Sequence, residues 1–139
     1  MRIEGLDHVN IQCRPADLPA IRRFWGEAIG LPEGRRPDFD FPGIWFWSGD
    51  RAVVHIAARM ADDATPPDAS GAFGHIALRA SGMEAARGRL GALGVTWREA
   101  PVPGFPLHQF FLRDPMGLTV ELTFDLNAET GGAPAPAAS

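Results

Sequence analysis

A chain of 139 residues is the length of one domain, and at that size folding buries roughly 70% of the extended surface, enough for a core without staples. All 13 basic residues are arginine and tyrosine is absent, which excludes Schiff-base chemistry on a lysine amine, a lysine-dependent phosphate-binding loop, and a phenolic acid or base. A net charge of −4 with the arginines scattered leaves no electrostatic footprint for nucleic acid.

The N-terminal residues Met1 to His8 carry acidic side chains and no apolar h-region. Residues 4–13 then alternate as a strand, with Val9, Ile11 and Cys13 on one face and His8, Asn10 and Gln12 on the other. Cys13 is the one cysteine, so an internal disulfide is excluded. A helix follows, with Asp17 as its N-cap, an apolar stripe of Leu18, Ile21, Trp25, Ala28 and Ile29, and Gly30 at its end. Strands over 43–48 and 51–57 flank a Ser48-Gly49-Asp50 turn. Counted back from that turn, Ile44 and Phe46 share a face with His55, and Trp45 and Trp47 do not. Residues 59–72 are polar and turn-rich, which is linker chemistry.

The order of signals then repeats. A strand at 74–80 precedes a helix that opens on a Ser81–Glu84 capping box, carries Met83, Ala86, Leu90 and Leu93 as its apolar positions, and ends at Gly94. Strands near 95–99, 107–113 and 118–124 complete this second module. Gly5-Leu6-Asp7-His8-Val9-Asn10-Ile11 aligns with Ala72-Phe73-Gly74-His75-Ile76-Ala77-Leu78, and His55 aligns with Glu121. The chain reads as one α+β domain over 1–127: module one about 3–58, linker 59–72 and module two about 73–124. Residues 128–139, rich in Ala, Pro and Gly, are expected to be a frayed or disordered tail. No apolar run approaches the roughly 20 residues of a membrane span, so the expected address is cytoplasmic, with neither membrane nor nucleic acid as a partner.

Period-two alternation sorts the strands into two surfaces. Val9/Ile11, Val54/Ile56, Ile76/Leu78 and Val120/Leu122/Phe124 suit a helix-packed face. The other face carries His8, His55, His75 and Glu121 near the middle of four strands. A carboxylate in an apolar strand needs a counter-charge, and three imidazoles with one carboxylate fit a divalent cation: Zn, Ni, Mn or Fe(II).

Three stretches resemble the vicinal oxygen chelate superfamily, which includes glyoxalase I, type I extradiol dioxygenases and bleomycin-resistance proteins. They are Leu6-Asp7-His8-Val9, Gly74-His75-Ile76-Ala77, and Asp114-Pro115-Met116-Gly117-Leu118-Thr119-Val120-Glu121. The resemblance covers residues 3–124 and implies two βαβββ modules in tandem, forming a cup-shaped mixed sheet with helices outside. It implies His8, His75 and Glu121 as metal ligands. It makes His55 either a fourth ligand, as in glyoxalase-like members, or an acid/base beside the metal, as in extradiol dioxygenases. Pairing Arg113 with Leu118 puts His108 on the Glu121 face as a second candidate for proton transfer. Phe111 stands where the extradiol signature has a tyrosine.

The expected function is that of a divalent-metal-dependent enzyme acting on a small substrate with vicinal oxygens. It is extradiol-dioxygenase-like with Fe(II) favoured. The alternatives are a glyoxalase-type lyase or isomerase using Ni or Zn, and a bleomycin-resistance-type binding protein. A homodimer is expected from the habit of two-module members.

Overall fold

The computed structural model describes residues 1–2, 5–65 and 72–129. The chain divides into two compact units, Met1–Asp68 and Ala69–Ser139, each with the same order of elements.

In the first unit, β1 (Val9–Gln12) leads through a tight turn at Pro15–Asp17 into α1 (Leu18–Ile21), which continues as wider π turns over Arg22–Ala28. β2 (Glu33–Gly34), β3 (Gly43–Ser48) and β4 (Arg51–Ala57) follow, and the sheet order is β1-β4-β3-β2 with β1 parallel to β4. Pro15 and Pro19 stand in first turns, where a missing N–H costs nothing. Asp17 does not cap forward as expected. Its carboxylate reaches back to accept the Arg14 backbone N–H at 2.9 Å and two guanidinium N–H groups at 2.9 and 2.7 Å, and that arginine holds its carboxyl below the usual range. Phe24 is buried beside the expected Ile21, Trp25 and Ala28, completing an i, i+3, i+4, i+7 face that the sequence stripe left without it. These residues pack with Ile11, Cys13, Ile44, Phe46, Val54 and Ile56 as the core of this unit.

The β3–β4 hairpin corrects the register counted from the turn. Ser48 pairs with Arg51 and Trp47 with Ala52, but Phe46 then pairs with Val54 and Trp45 with His55. Val53 is the extra residue of a β-bulge, and one extra residue exchanges the faces of everything beyond it. Trp45 therefore shares the His55 face, while Ile44 and Phe46 are buried in the core.

In the second unit, β5 (Ile76–Ala80), α2 (Met83–Ala92), β6 (Trp97–Pro101), β7 (Leu107–Arg113), β8 (Thr119–Asp125) and α3 (Leu126–Glu129) give a sheet in the order β5-β8-β7-β6, with β5 parallel to β8. Leu90 of α2 is fully buried, and Ile76, Phe110, Leu112, Val120, Leu122 and Phe124 are buried with it. The Ser81–Glu84 capping box does not form. Gly82, at a φ of +79° that disfavours any side chain, opens the helix, and its N–H and that of Met83 donate to the two Glu129 oxygens at 2.7 and 2.8 Å. Glu84 pairs instead with Arg87. Residues 128 and 129, expected in a frayed tail, thus belong to a helical turn that caps α2; residues 130–139 lie outside the described residues.

The β7–β8 turn corrects a second register. The buried Asp114 carboxylate accepts the backbone N–H groups of Met116 and Leu118 at 2.9 and 2.8 Å, while its own N–H donates to the Leu118 carbonyl. Leu118 is drawn into the turn, so Arg113 pairs with Thr119 and Phe111 with Glu121. His108, Phe110 and Leu112 consequently occupy the face opposite Glu121. No helix of the described residues is long and apolar enough to cross a membrane.

Candidate metal centre

Each unit brings two of the four expected ligands together. In the first, parallel pairing sets Asn10 beside His55 and antiparallel pairing sets Trp45 on its other side. The imidazoles of His8 and His55 stack with centroids 3.8 Å apart and planes at 20°, and Trp45 stacks on the other face of His55 at 3.8 Å and 5°. Burial, and then the neighbouring His8, hold the His55 imidazole below its ordinary pKa, which keeps it neutral and able to ligate or accept a proton. The His8 Nδ1 lies 2.6 Å from Asp7 Oδ1. A carboxylate only accepts, so Nδ1 carries the proton and the His8 Nε2 lone pair is left for a metal. Arg51 fixes this segment by donating to the Leu6 carbonyl at 2.9 Å. His8 first, and Arg51 after it, hold the Asp7 carboxyl below its usual range.

In the second unit, His75 Nε2 lies 3.1 Å from Glu121 Oε2. Glu121 is 5% exposed, a carboxylate in a place that water cannot serve. Its Oε1 accepts the Gln109 side-chain amide at 2.5 Å and the Thr123 hydroxyl at 2.6 Å, so Oε2 is the oxygen turned to His75. Phe111, directly across from Glu121, meets the His75 ring edge to face with centroids 6.5 Å apart.

The donor set fits a divalent cation. His75 Nε2 and Glu121 Oε2, 3.1 Å apart, form an ion pair whose two donor atoms would hold such a cation. Imidazole and carboxylate are the borderline ligands that Zn, Ni, Mn and Fe accept. Among the described residues no group of three or more His, Cys, Asp and Glu is arranged to hold a metal ion, and the expected ligands stand as two pairs, His8 with His55 in the first unit and His75 with Glu121 in the second.

His108 belongs to a different network. Its Nε2 lies 2.9 Å from Glu99 Oε2 on the helix-packed face. Glu99 also accepts Arg87 at 2.9 and 2.7 Å and the Trp97 indole N–H at 2.8 Å. Arg87, with smaller help from Trp97 and His108, pulls the Glu99 carboxyl down to about 2. His108 thereby ties β7 to β6, and Arg87 ties both to α2. Trp47 is likewise structural: its indole donates to the Arg35 carbonyl at 3.2 Å, and a Cβ on Gly34 would come within 2.6 Å of its ring.

Gln109, Thr123 and Asp7 are the members that sequence reasoning did not assign a role. Thr123 stood on the expected face. Gln109 was hidden by the register slip at the Asp114 turn, and Asp7 was visible only as the residue preceding His8.

Residues 5–122 match the family model of the Glyoxalase/Bleomycin resistance protein/Dioxygenase superfamily. A Vibrio parahaemolyticus protein named "Probable lactoylglutathione lyase" is 29% identical over 126 residues, covering 85% of this chain and 90% of its own length. Among solved structures, a protein assigned to the glyoxalase family from Bacillus anthracis superposes with a TM-score of 0.71 at 23% identity, covering 90% of this chain and 98% of its own. A lactoylglutathione lyase from Agrobacterium tumefaciens gives a TM-score of 0.64 at 17% identity over 91% of this chain and 98% of its own; at such identities the likeness concerns the fold. The match along nearly the whole described chain, together with two βαβββ units carrying His8 and His75 at equivalent places, means that the chain belongs to the glyoxalase/bleomycin resistance protein/dioxygenase superfamily.

Proposed function

We propose that this protein is a divalent-metal-dependent enzyme acting on a small substrate with two neighbouring oxygens, with His8, His75, Glu121 and His55 as the residues that hold the cation, and with lyase or isomerase chemistry of the glyoxalase type. The observation that carries the reading is the approach of His75 Nε2 to Glu121 Oε2 at 3.1 Å while Gln109 and Thr123 occupy the other carboxylate oxygen. When bound, the cation supplies Lewis acidity to the substrate oxygens. Asp7 keeps the proton on His8 Nδ1. Gln109 and Thr123 hold the Glu121 carboxylate fixed in rotation. His55, neutral and braced by Trp45, has one ring lone pair, and in this reading that lone pair goes to the cation. The relative named as a lactoylglutathione lyase supports this chemistry over the alternatives.

A second reading, extradiol-dioxygenase-like chemistry with Fe(II), is favoured by one observation: His55 lies against His8 as a neutral base and needs no ligand role there. Two features weigh against it. Phe111 offers no phenol, and His108 faces the other side of its sheet. The experiment is to purify the protein without chelator, measure its metal, reload it with Fe(II), Ni(II) and Zn(II), and assay lactoylglutathione formation and catechol ring cleavage with each. Turnover of the first kind with Ni(II) or Zn(II) supports the lyase reading, and ring cleavage with Fe(II) alone supports the second. Tight drug binding without metal uptake supports a sequestering protein and rejects both.

A further inference from the structure

The face of the second sheet that carries Glu121 also carries arginines. One cross-strand row runs Arg98, Phe111, Glu121, Ala77, because Arg98 pairs with Phe111, Phe111 with Glu121, and Glu121 with Ala77. The Arg98 guanidinium lies over the Phe111 ring with its carbon 4.3 Å from the centroid. Neighbouring strands are about 4.8 Å apart, so the Arg98 backbone stands roughly 10 Å from that of Glu121, with the phenyl ring between them. Arg79 and Arg113 occupy the same face in the adjoining rows, paired with Thr123 and Thr119. Against them stand the buried Glu121, engaged by Gln109 and Thr123, and Asp125 at the far end of β8.

Arg98 differs from the arginines that build the fold. Arg14, Arg22 and Arg87 each hold a carboxylate with two or more N–H groups, those of Asp17, Glu33 and Glu99. Among the described residues no carboxylate pairs with Arg98, and its side chain is held by the aromatic face alone. A guanidinium held over a ring by its cation–π contact keeps N–H groups for a carboxylate, which it can match bidentately. Contact with the ring restricts this exposed guanidinium before anything binds, which lowers the ordering cost of binding.

We propose that Arg98, seated on Phe111, is an anion-binding subsite on the Glu121 face, and that the substrate is one whose chelating oxygens are joined to a carboxylate about one aromatic ring away. The proposal rests on the metal-centred reading above and gives it a substrate class, a carboxylated chelator. Phe111 acquires a role that a tyrosine would fill differently: it is the platform for the guanidinium.

The test uses the full chain loaded with Zn(II) and two chelating probes of one shape, 3,4-dihydroxybenzoate and its neutral amide, titrated calorimetrically. Wild type is expected to bind the acid about tenfold more tightly than the amide, the scale of one charge-assisted bidentate contact. Arg98→Gln should reduce the preference to within about twofold with amide affinity and zinc stoichiometry unchanged, and Arg98→Lys should restore part of it. Equal affinities in wild type, a preference that survives in Arg98→Gln, or zinc-loaded protein that retains neither probe would overturn the inference while leaving the metal reading intact. Failure to take up zinc in stoichiometric amount would overturn the metal reading and this inference with it.

Discussion

Gln109 and Glu121 are joined across the β7–β8 ladder by a 2.5 Å hydrogen bond, and that contact sets which carboxylate oxygen faces His75. Removing it leaves Glu121 free to rotate. Gln109→Leu is expected to weaken metal affinity by about 10- to 100-fold, and Thr123→Val by a comparable factor, with the fold retained. Titration of apoprotein with Zn(II) checks this, and unchanged affinity in both variants would show that Glu121 needs neither donor.

His55 and His75 should separate by role. If His55 is a ligand, His55→Ala lowers both metal affinity and turnover; if it moves a proton, metal stays bound while turnover falls by about 100-fold or more. His75→Ala lowers both in either case. Metal content after gel filtration, set beside initial rates, distinguishes the two.

His108→Ala should leave turnover within about twofold of wild type and lower thermal stability, because His108 braces Glu99 on the helix-packed face and shares no face with Glu121. A large loss of turnover in a variant that still binds metal would return His108 to the reaction.

The Glu99 network gives a pH dependence with a definite sign. Its carboxyl is pulled from the usual 4.5 to about 2 by Arg87, so the unfolded chain takes up the proton first as pH falls. The stabilisation is fully present above about pH 4.5 and is lost progressively as pH falls toward 2. It amounts to roughly 1–2 kcal/mol once solvent screening is allowed for. Melting curves between pH 6 and pH 3 should therefore fall more steeply for wild type than for Glu99→Gln.

Glu129 caps a helix from the far end of its own unit. Glu129→Ala should cost about 1 kcal/mol and lower the melting temperature by a few degrees, while Glu84→Ala costs less. Equal losses in the two variants would point back to a local cap.

The alternation of apolar residues and the internal repeat made the two modules, their longer strands and their core faces legible, the βαβββ order came with the family resemblance, and the Asp-His-Val and Gly-His-Ile openings made the ligand candidates legible; the short β2 carried no alternation to find it by. Both hairpin registers were not, for one physical reason: a single residue added near a turn exchanges the faces of a whole strand. Val53 bulges in β4, which brought Trp45 to His55. The Asp114 carboxylate gathers Leu118 into the second turn, which moved Gln109 and Phe111 onto the Glu121 face and took His108 off it. Local spacing carries no signal for either. The Glu129 cap was equally hidden, since it joins residues far apart in the chain.

The central claim, that His75 and Glu121 hold a divalent cation, is tested most directly by calorimetric titration of chelator-treated protein with Ni(II) or Zn(II), alongside His75→Ala and Glu121→Gln. One equivalent per chain in wild type, with affinity reduced at least about 100-fold in both variants, is the expected result. Stoichiometric binding that both variants retain, or no stoichiometric binding of Fe(II), Ni(II) or Zn(II) by wild type, would contradict it.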